Sequence, residues 1–301
     1  MGKLLHRDLI VGYVFLSPFL IGFLAFTLFP IMASFYFSFT KFDLLSAPNW
    51  IGLDNFYKMF KGDDRFWQAL KVTFIYVSLS VPLRLCFALF VAMLLNAGAA
   101  MLGLYRTVYY LPSIIGGSVA VAIMWRQIFG DRGAVNSILA LFDIHVNISW
   151  TGHPSTALFT LVLLSVWQFG SSMLIFLAGL KNIPRTFYEA ASVDGAGSVQ
   201  KFFKITLPLL SPIILFNLIM QTIAGFMTFT PAYIISNGSG GPMGTTLLYS
   251  LYLFQRAFVF FDMGYASAMA WVMLALITVL TGFVFFTSKY WVYYETKEDR
   301  A

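Results

Sequence analysis

Charge is scarce in this sequence. Asp, Glu, Lys and Arg make up 11% of its 301 residues, against roughly 25% in soluble domains. With 59% hydrophobic residues and a mean hydropathy of +0.79, too little polar surface exists to cover a soluble core of this size. Hydrocarbon is the fitting solvent. Cysteine is nearly absent: Cys86 stands alone in an apolar run, which excludes an intramolecular disulfide and leaves the redox compartment open. Histidine is rare as well. His6, His145 and His153 are scattered, no Cys/His cluster has metal-ligand spacing, and no metal site is expected. The pI near 9.3 does not point to nucleic acid, because the cations sit in separate short loops rather than one patch. Such residues more simply lie beside anionic membrane lipid.

Apolar length is what the chain has in abundance. Six long segments stand out, at 9–39, 72–95, 108–128, 156–180, 207–235 and 264–288, each reaching the roughly 20 residues that a spanning helix needs. The first follows a short basic start, Lys3 and Arg7, as a signal peptide would. Its apolar stretch is too long for a signal core and no A-x-A site follows. It reads as a spanning helix, bent near Pro30. Six spans bring both ends to one side. With the amino terminus cytoplasmic, ten cations fall inside (Lys3, Arg7, Arg106, Lys181, Arg185, Lys201, Lys204, Lys289, Lys297 and Arg300) and eight outside. This bias favours both termini in the cytoplasm. One membrane domain accounts for residues 1–301. Its largest external piece is 40–71, with Pro48, Trp50 and Trp67 placed along the interface, where Trp is favoured.

The six segments contain no Asp, Glu or His; all 13 acids fall in loops or tails. Proton or sodium coupling usually relies on an intramembrane carboxylate, although carbonyls at a broken helix also bind sodium. A stand-alone secondary transporter or channel is therefore the weaker alternative. A non-transporting scaffold is a third. The Gly-rich stretch "SNGSGGPMGTT" (236–246) lacks the Lys of an ATP-binding loop. It reads as a flexible external turn or as a contact surface for an external partner. No Ser/His/acid set or carboxylate pair gathers at one membrane face, so no enzyme is expected. If work is done here, another subunit supplies the energy.

One polar stretch interrupts the hydrocarbon. In "KNIPRTFYEAASVDGAGSVQKFFKITLPLL", Asn182 reads as an N-cap and Pro184 sits in the first turn. A short helix follows, with Glu189 beside Ala190 and Ala191, whose small side chains let a partner approach the backbone. "DGAG" ends it, and Gly195 can take positive φ. Ser198 then caps a second helix, with Phe202 and Phe203 at the membrane boundary, and Pro208 bends the entry into the fifth span. The pattern E-A-A-x-x-x-G, then nine residues, then I-x-L-P is met by Glu189, Ala190, Ala191, Gly195, Ile205, Leu207 and Pro208. It resembles the cytoplasmic loop of permease subunits in bacterial ATP-binding cassette (ABC) importers. The longer string from "NIP" through "YEAASVDGA" to "FKITLPLL" resembles the carbohydrate branch, with its maltose-type and glycerol-phosphate-type permeases. "LYRTVYYLP", "GAVNSIL" and "MGYASAMAW" extend the likeness over nearly the whole chain.

The resemblance implies an all-α, integral, multi-pass protein of the bacterial inner membrane: six transmembrane helices in the type I ABC importer permease fold. The loop at 181–206 would be a coupling helix seated on a cytoplasmic ATPase, through Tyr188, Glu189, Ala190, Ala191, Asp194 and Gly195. Expected partners are a second, homologous permease subunit making a heterodimer, two ATPase subunits holding ATP and Mg, and an external solute-binding protein. No cofactor is expected on this chain.

Polar residues inside the neighbouring spans are candidates for a sugar pathway. Asn217, Gln221, Gly225 and Thr228 share one stripe of the fifth span. Ser165, Gln168 and Ser172 share a face of the fourth, with Trp167 adjacent. Amides beside an aromatic plate suit a sugar; interhelical hydrogen bonding accounts for them equally. Resemblance to maltose-type permeases places the binding site in these two spans. Arg84 is the one charge well inside a segment, and three readings stay open. It meets an acidic group on the sugar, snorkels to the external face, or bonds carbonyls freed near Pro82. The sequence also resembles the alginate-importing member of this group, whose cargo is a polyuronate.

Overall fold

A computed structural model describes residues 2–98, 101–146 and 148–293. Lys297, Arg300 and the carboxyl terminus lie outside the described residues. Helix follows helix along the chain. α1 (Gly2–Phe23) continues into α2 (Phe29–Ser38) through a π-turn at Leu24–Leu28, directly ahead of Pro30. A proline ring clashes with the carbonyl four residues back and brings no N–H. Widening the preceding turn lets the helix run on through the proline. Strands β1 (Thr40–Lys41) and β2 (Asn49–Trp50) pair antiparallel, Thr40 opposite Trp50, as a small exception to the all-helical expectation. Next come α3 (Asp54–Lys61) and the long α4 (Asp64–Asn96).

The third and fourth segments are not straight. α5 (Leu102–Ile115) and α6 (Val119–Ile128) meet at 97°. Gly116 and Gly117 fill the corner, and the Ser118 hydroxyl caps α6 by accepting from the Val121 N–H at 3.3 Å. After α7 (Ala134–Ala140), α8 (Ala157–Trp167) and α9 (Gly170–Asn182) meet at 42°. α10 (Arg185–Val193) and α11 (Ser198–Lys201) follow, then a π-turn at Phe202–Thr206 and α12 (Leu207–Phe226). α13 (Thr230–Ile235), α14 (Tyr249–Phe254) and α15 (Met263–Trp291) complete the order. Four helical stretches are long and apolar enough to cross a membrane; the two bent pairs make six, the number read from the sequence.

Of the described residues, those up to 63 together with 253–275 form one compact unit; those of 64–252 together with 276–293 form another. In the first, buried Asn55 donates to the Ser38 and Thr40 carbonyls, both at 2.9 Å, and so ties α3 under the end of α2. Buried Asp63 accepts from Arg256 at 2.8 Å and from the Tyr265 hydroxyl at 2.6 Å, so its charge is matched where water is excluded. Gly264 lies against β1: a β-carbon there would sit 2.0 Å from the Thr40 carbonyl. In the turn between the strands, the Ser46 hydroxyl and N–H hold the Asp43 carboxyl below the usual carboxylate range.

The second unit is built around α4. Its buried residues (Phe66, Ala69, Thr73, Tyr76, Ser80, Leu85, Ala88, Leu95 among them) recur every three to four positions, the period of a one-sided helix. That face packs on α8, α9 and α12. Glycines set the closest crossings. A β-carbon at Gly170 would come 2.3 Å from the Tyr109 carbonyl of α5, and one at Gly179 would come 2.2 Å from Ile213 of α12. Such small-residue contacts bring membrane helices together where lipid offers no hydrophobic drive. The 236–246 stretch is tied down rather than slack. Gln68 donates to the Met243 carbonyl at 2.7 Å, and the Gly240 N–H donates to the Ser236 hydroxyl at 3.1 Å.

Candidate functional site

Three helix interruptions of the second unit open onto one cavity of about 250 Å³. α4 contributes Tyr76, Ser80, Val81 and Arg84. Gly117 comes from the α5–α6 corner, and Leu161, Leu164, Ser165 and Gln168 come from the end of α8. Gln221, Ala224 and Gly225 lie on α12, and Met227 to Pro231 form the step into α13. Each interruption frees backbone carbonyls from their helical partners. In hydrocarbon such groups are tolerated only where protein or a wet cavity receives them.

Gln168 receives two of them. Its Nε2 donates to the Gly116 carbonyl at 3.3 Å and the Leu164 carbonyl at 3.2 Å, one from each bent pair. Its own carbonyl accepts from the Ser113 hydroxyl at 2.8 Å and from Arg84 Nη2. The Ser113 oxygen in turn accepts the Ser171 N–H at 3.0 Å, just inside α9. Arg84 thus bonds a freed carbonyl, though at the α8–α9 break rather than near Pro82. No carboxylate pairs with it among the described residues, and its Nε is buried without a partner.

The candidate pathway residues divide. Arg84, Gln168, Gln221, Gly225 and Thr228 line the cavity together with Ser165. Trp167 does not: at the last position of α8 its ring lies tilted against Trp125, centroids 5.9 Å apart. Ser172 is buried and accepts from Gln221 Nε2 at 3.1 Å, a bond between α9 and α12. Asn217 is buried and donates to Ile213 of its own helix at 3.1 Å. Tyr76 and Ser80 went unread in the sequence, although they stand eight and four residues before Arg84 on the same helical face.

The polar stretch is a helical elbow. Asn182 closes α9 instead of capping α10, whose N-cap is Pro184, and Ser198 is the first residue of α11 after the N-cap Gly197. The Ala196 N–H reaches the Ala191 carbonyl at 2.8 Å and the Gly195 N–H reaches Ser192 at 3.2 Å, with Gly195 at φ +77°. This paired closure of a helix end needs a left-handed residue, which glycine supplies at least cost. Lys201 of α11 donates to the Ser192 hydroxyl at 2.7 Å, and the Tyr188 hydroxyl bonds Thr206 at 2.9 Å, bracing the angle from both sides. Glu189, Ala190, Asp194 and Gly195 are exposed, Ala191 is half-buried, and Glu189 has no ion-pair partner among the described residues. A π-turn ahead of Pro208 joins α11 to α12 in one helical run, 198–226.

Comparison with known proteins gives this arrangement a family. Residues 59–292 match the binding-protein-dependent transport system inner membrane component. The chain is 65% identical over 298 residues to the probable ABC transporter permease protein YesP of Bacillus subtilis, covering 99% of this chain and 96% of that one. It is 34% identical over 276 residues to the arabinooligosaccharides transport system permease protein AraP of the same organism, covering 89% and 85%. A solved bacterial alginate ABC transporter, in complex with an alginate pentasaccharide-bound periplasmic protein, superposes with a TM-score of 0.79 at 22% identity, over 96% of this chain and 97% of that one. At that identity the likeness concerns the fold, which is the type I ABC importer permease fold. The chain belongs to the binding-protein-dependent transport system inner membrane components, the permease subunits of ABC transporters.

Proposed function

We propose that this chain is one half of the membrane pore of an ATP-driven sugar importer in the bacterial inner membrane. It pairs with a homologous permease, receives sugar from an external solute-binding protein and is driven by two cytoplasmic ATPase subunits that hold ATP and Mg. The observation that carries the reading is the elbow. α10 presents Glu189 and Ala190 on an exposed, braced helix closed by Gly195, joined through α9 and through α11–α12 to the elements that line the cavity. Tyr188, Glu189, Ala190, Ala191, Asp194 and Gly195 then form the coupling surface. ATPase closure moves the elbow as one body and rocks the attached spans, opening the cavity to each side in turn.

In the cavity, Gln221, Thr228, Ser165, Ser80 and Tyr76 offer the mixed donors and acceptors that sugar hydroxyls need. The names of relatives such as AraP support an oligosaccharide as cargo. An acidic sugar is the form that Arg84 favours, because its buried Nε–H has no partner.

Co-purification tests the reading. The permease should retain an ATPase subunit in detergent and stimulate its hydrolysis when the loaded binding protein is added. Glu189→Ala or Gly195→Asp should weaken that association. Loss of one charge-assisted contact is worth roughly 1.5–3 kcal/mol, a ten- to hundred-fold effect. Wild-type coupling in both variants would overturn the assignment of α10.

A further inference from the structure

Eleven to twelve residues beyond Arg84 on α4, or roughly 17 Å along the helix axis, a second cavity of about 570 Å³ opens where α4, α5, α9 and α10 have their ends. Its apolar wall includes Leu95 and Leu102. Its polar wall is Asn96, Lys181, Arg185 and Tyr188. Lys181 stands in the last turn of α9 and Arg185 opens α10. Both are exposed, no acidic residue lines the cavity, and neither cation has an ion-pair partner among the described residues.

The place matters as much as the charge. α4 is one spanning helix, and α5 and α9 belong to two more, so the level at which they end is the edge of the bilayer. A pocket there that combines two free cations with leucines matches both halves of an anionic phospholipid: a phosphate for Lys181 and Arg185, an acyl chain for Leu95 and Leu102. A soluble anion would satisfy only the first half. Basic pockets between spanning helices are recognised sites for such headgroups.

We propose that this cavity binds an anionic phospholipid by its phosphate, and that the bound lipid buttresses the first turn of α10. Lys181 and Arg185 flank the two-residue step from α9 to α10, so one phosphate held by both fixes the angle at which the elbow leaves the membrane. The reading of 181–206 as cytoplasmic serves only to name the leaflet, the inner one. Coupling would then depend on membrane composition, because the same phosphate that draws the cations together also sets the pose of Glu189 one turn further on.

The test needs no ATPase, so its outcome is separate from that of the coupling experiment. Purified permease in neutral detergent is titrated with phosphatidylglycerol or phosphatidylcholine, and retained lipid is read by native mass spectrometry. Phosphatidylglycerol should be held in preference. A Lys181→Gln/Arg185→Gln variant should bind it roughly thirty-fold more weakly, at about 1 kcal/mol for each cation near the surface. Arg185→Lys, which keeps the charge, should retain it. If the double variant melts early without lipid, each single variant should still show a loss of about five-fold. Equal retention of phosphatidylcholine, or undiminished phosphatidylglycerol binding by the variants, overturns the proposal. Displacement of the lipid by an equal amount of inorganic phosphate overturns it too, and assigns the cavity to a soluble anion.

Discussion

Arg84 holds the most consequential bond pattern of any single residue. Its Nη2 caps the Gln168 carbonyl at the α8–α9 break, and its Nε is buried without a partner in a side chain that lines the cavity. The two atoms predict two separable losses. Arg84→Gln removes a charged donor from a buried carbonyl, which is worth about 1.5–3 kcal/mol, so the detergent melting temperature should fall. Uptake of an acidic sugar should fall further than that of a neutral one. Arg84→Lys should recover part of the stability and little of the selectivity, because an ammonium lacks the planar fork that grips carboxylate. Equal uptake of acidic and neutral sugars by Arg84→Gln would remove the acidic-cargo role and leave the cap. Single residues were legible where helix period alone places them. Gln221, Gly225 and Thr228 lie on a stripe that the structure turns to the cavity. Ser172 was misplaced because period counting assumes a continuous helix, and the chain breaks ahead of it at Gln168 and Phe169; Trp167, still within α8, stands off the Ser165 face by helical period itself.

At the scale of elements, the six apolar segments are present, while their interruptions were hidden. Hydropathy averages over a window as long as a span, and a corner of three small residues such as Gly116-Gly117-Ser118 vanishes into it. The local signal was available in Pro112 followed by paired glycines, and in Gln168 two residues before Gly170. The π-turns ahead of Pro30 and Pro208 had no signal beyond the prolines themselves, which favour a bend and a widened turn alike. The α5–α9 crossing gives a direct test. A methyl at Gly170 would press on the Tyr109 carbonyl and on Tyr110 Cα, 2.7 Å away, both of them backbone. Gly170→Ala should therefore lower stability by about 1–3 kcal/mol. Gly282→Ala, with nothing within 4 Å of its β-carbon, should be neutral or gain up to about 1 kcal/mol from helix propensity. Differential scanning fluorimetry on the two variants compares them; matching melting points would contradict the crossing.

For the whole molecule the governing question is which face points where. Six spans and the cation bias predict that the elbow is cytoplasmic and the 236–246 stretch external. In a Cys86→Ser background, Met243→Cys, at an exposed position, should react with an impermeant thiol reagent on intact cells. Val199→Cys, also at an exposed position, should react only after lysis. The reverse pattern would invert the orientation. The amino-terminal span adds a point of its own. The most apolar 18-residue stretch of Val11–Ser38 buries nothing within the described chain. The contacts that hold this helix come at its far end, where Phe35 meets Trp271 at 4.8 Å and Asn55 binds the Ser38 carbonyl. Among the described residues the rod's grip is at its tip, and its axial rotation follows from that grip. Adding or deleting one residue between Phe35 and Ser38 would swing every side chain upstream by about 100°, presenting a different face to whatever lies alongside. Substitutions along the stretch change only its texture; a change of length at its last turn changes its aim.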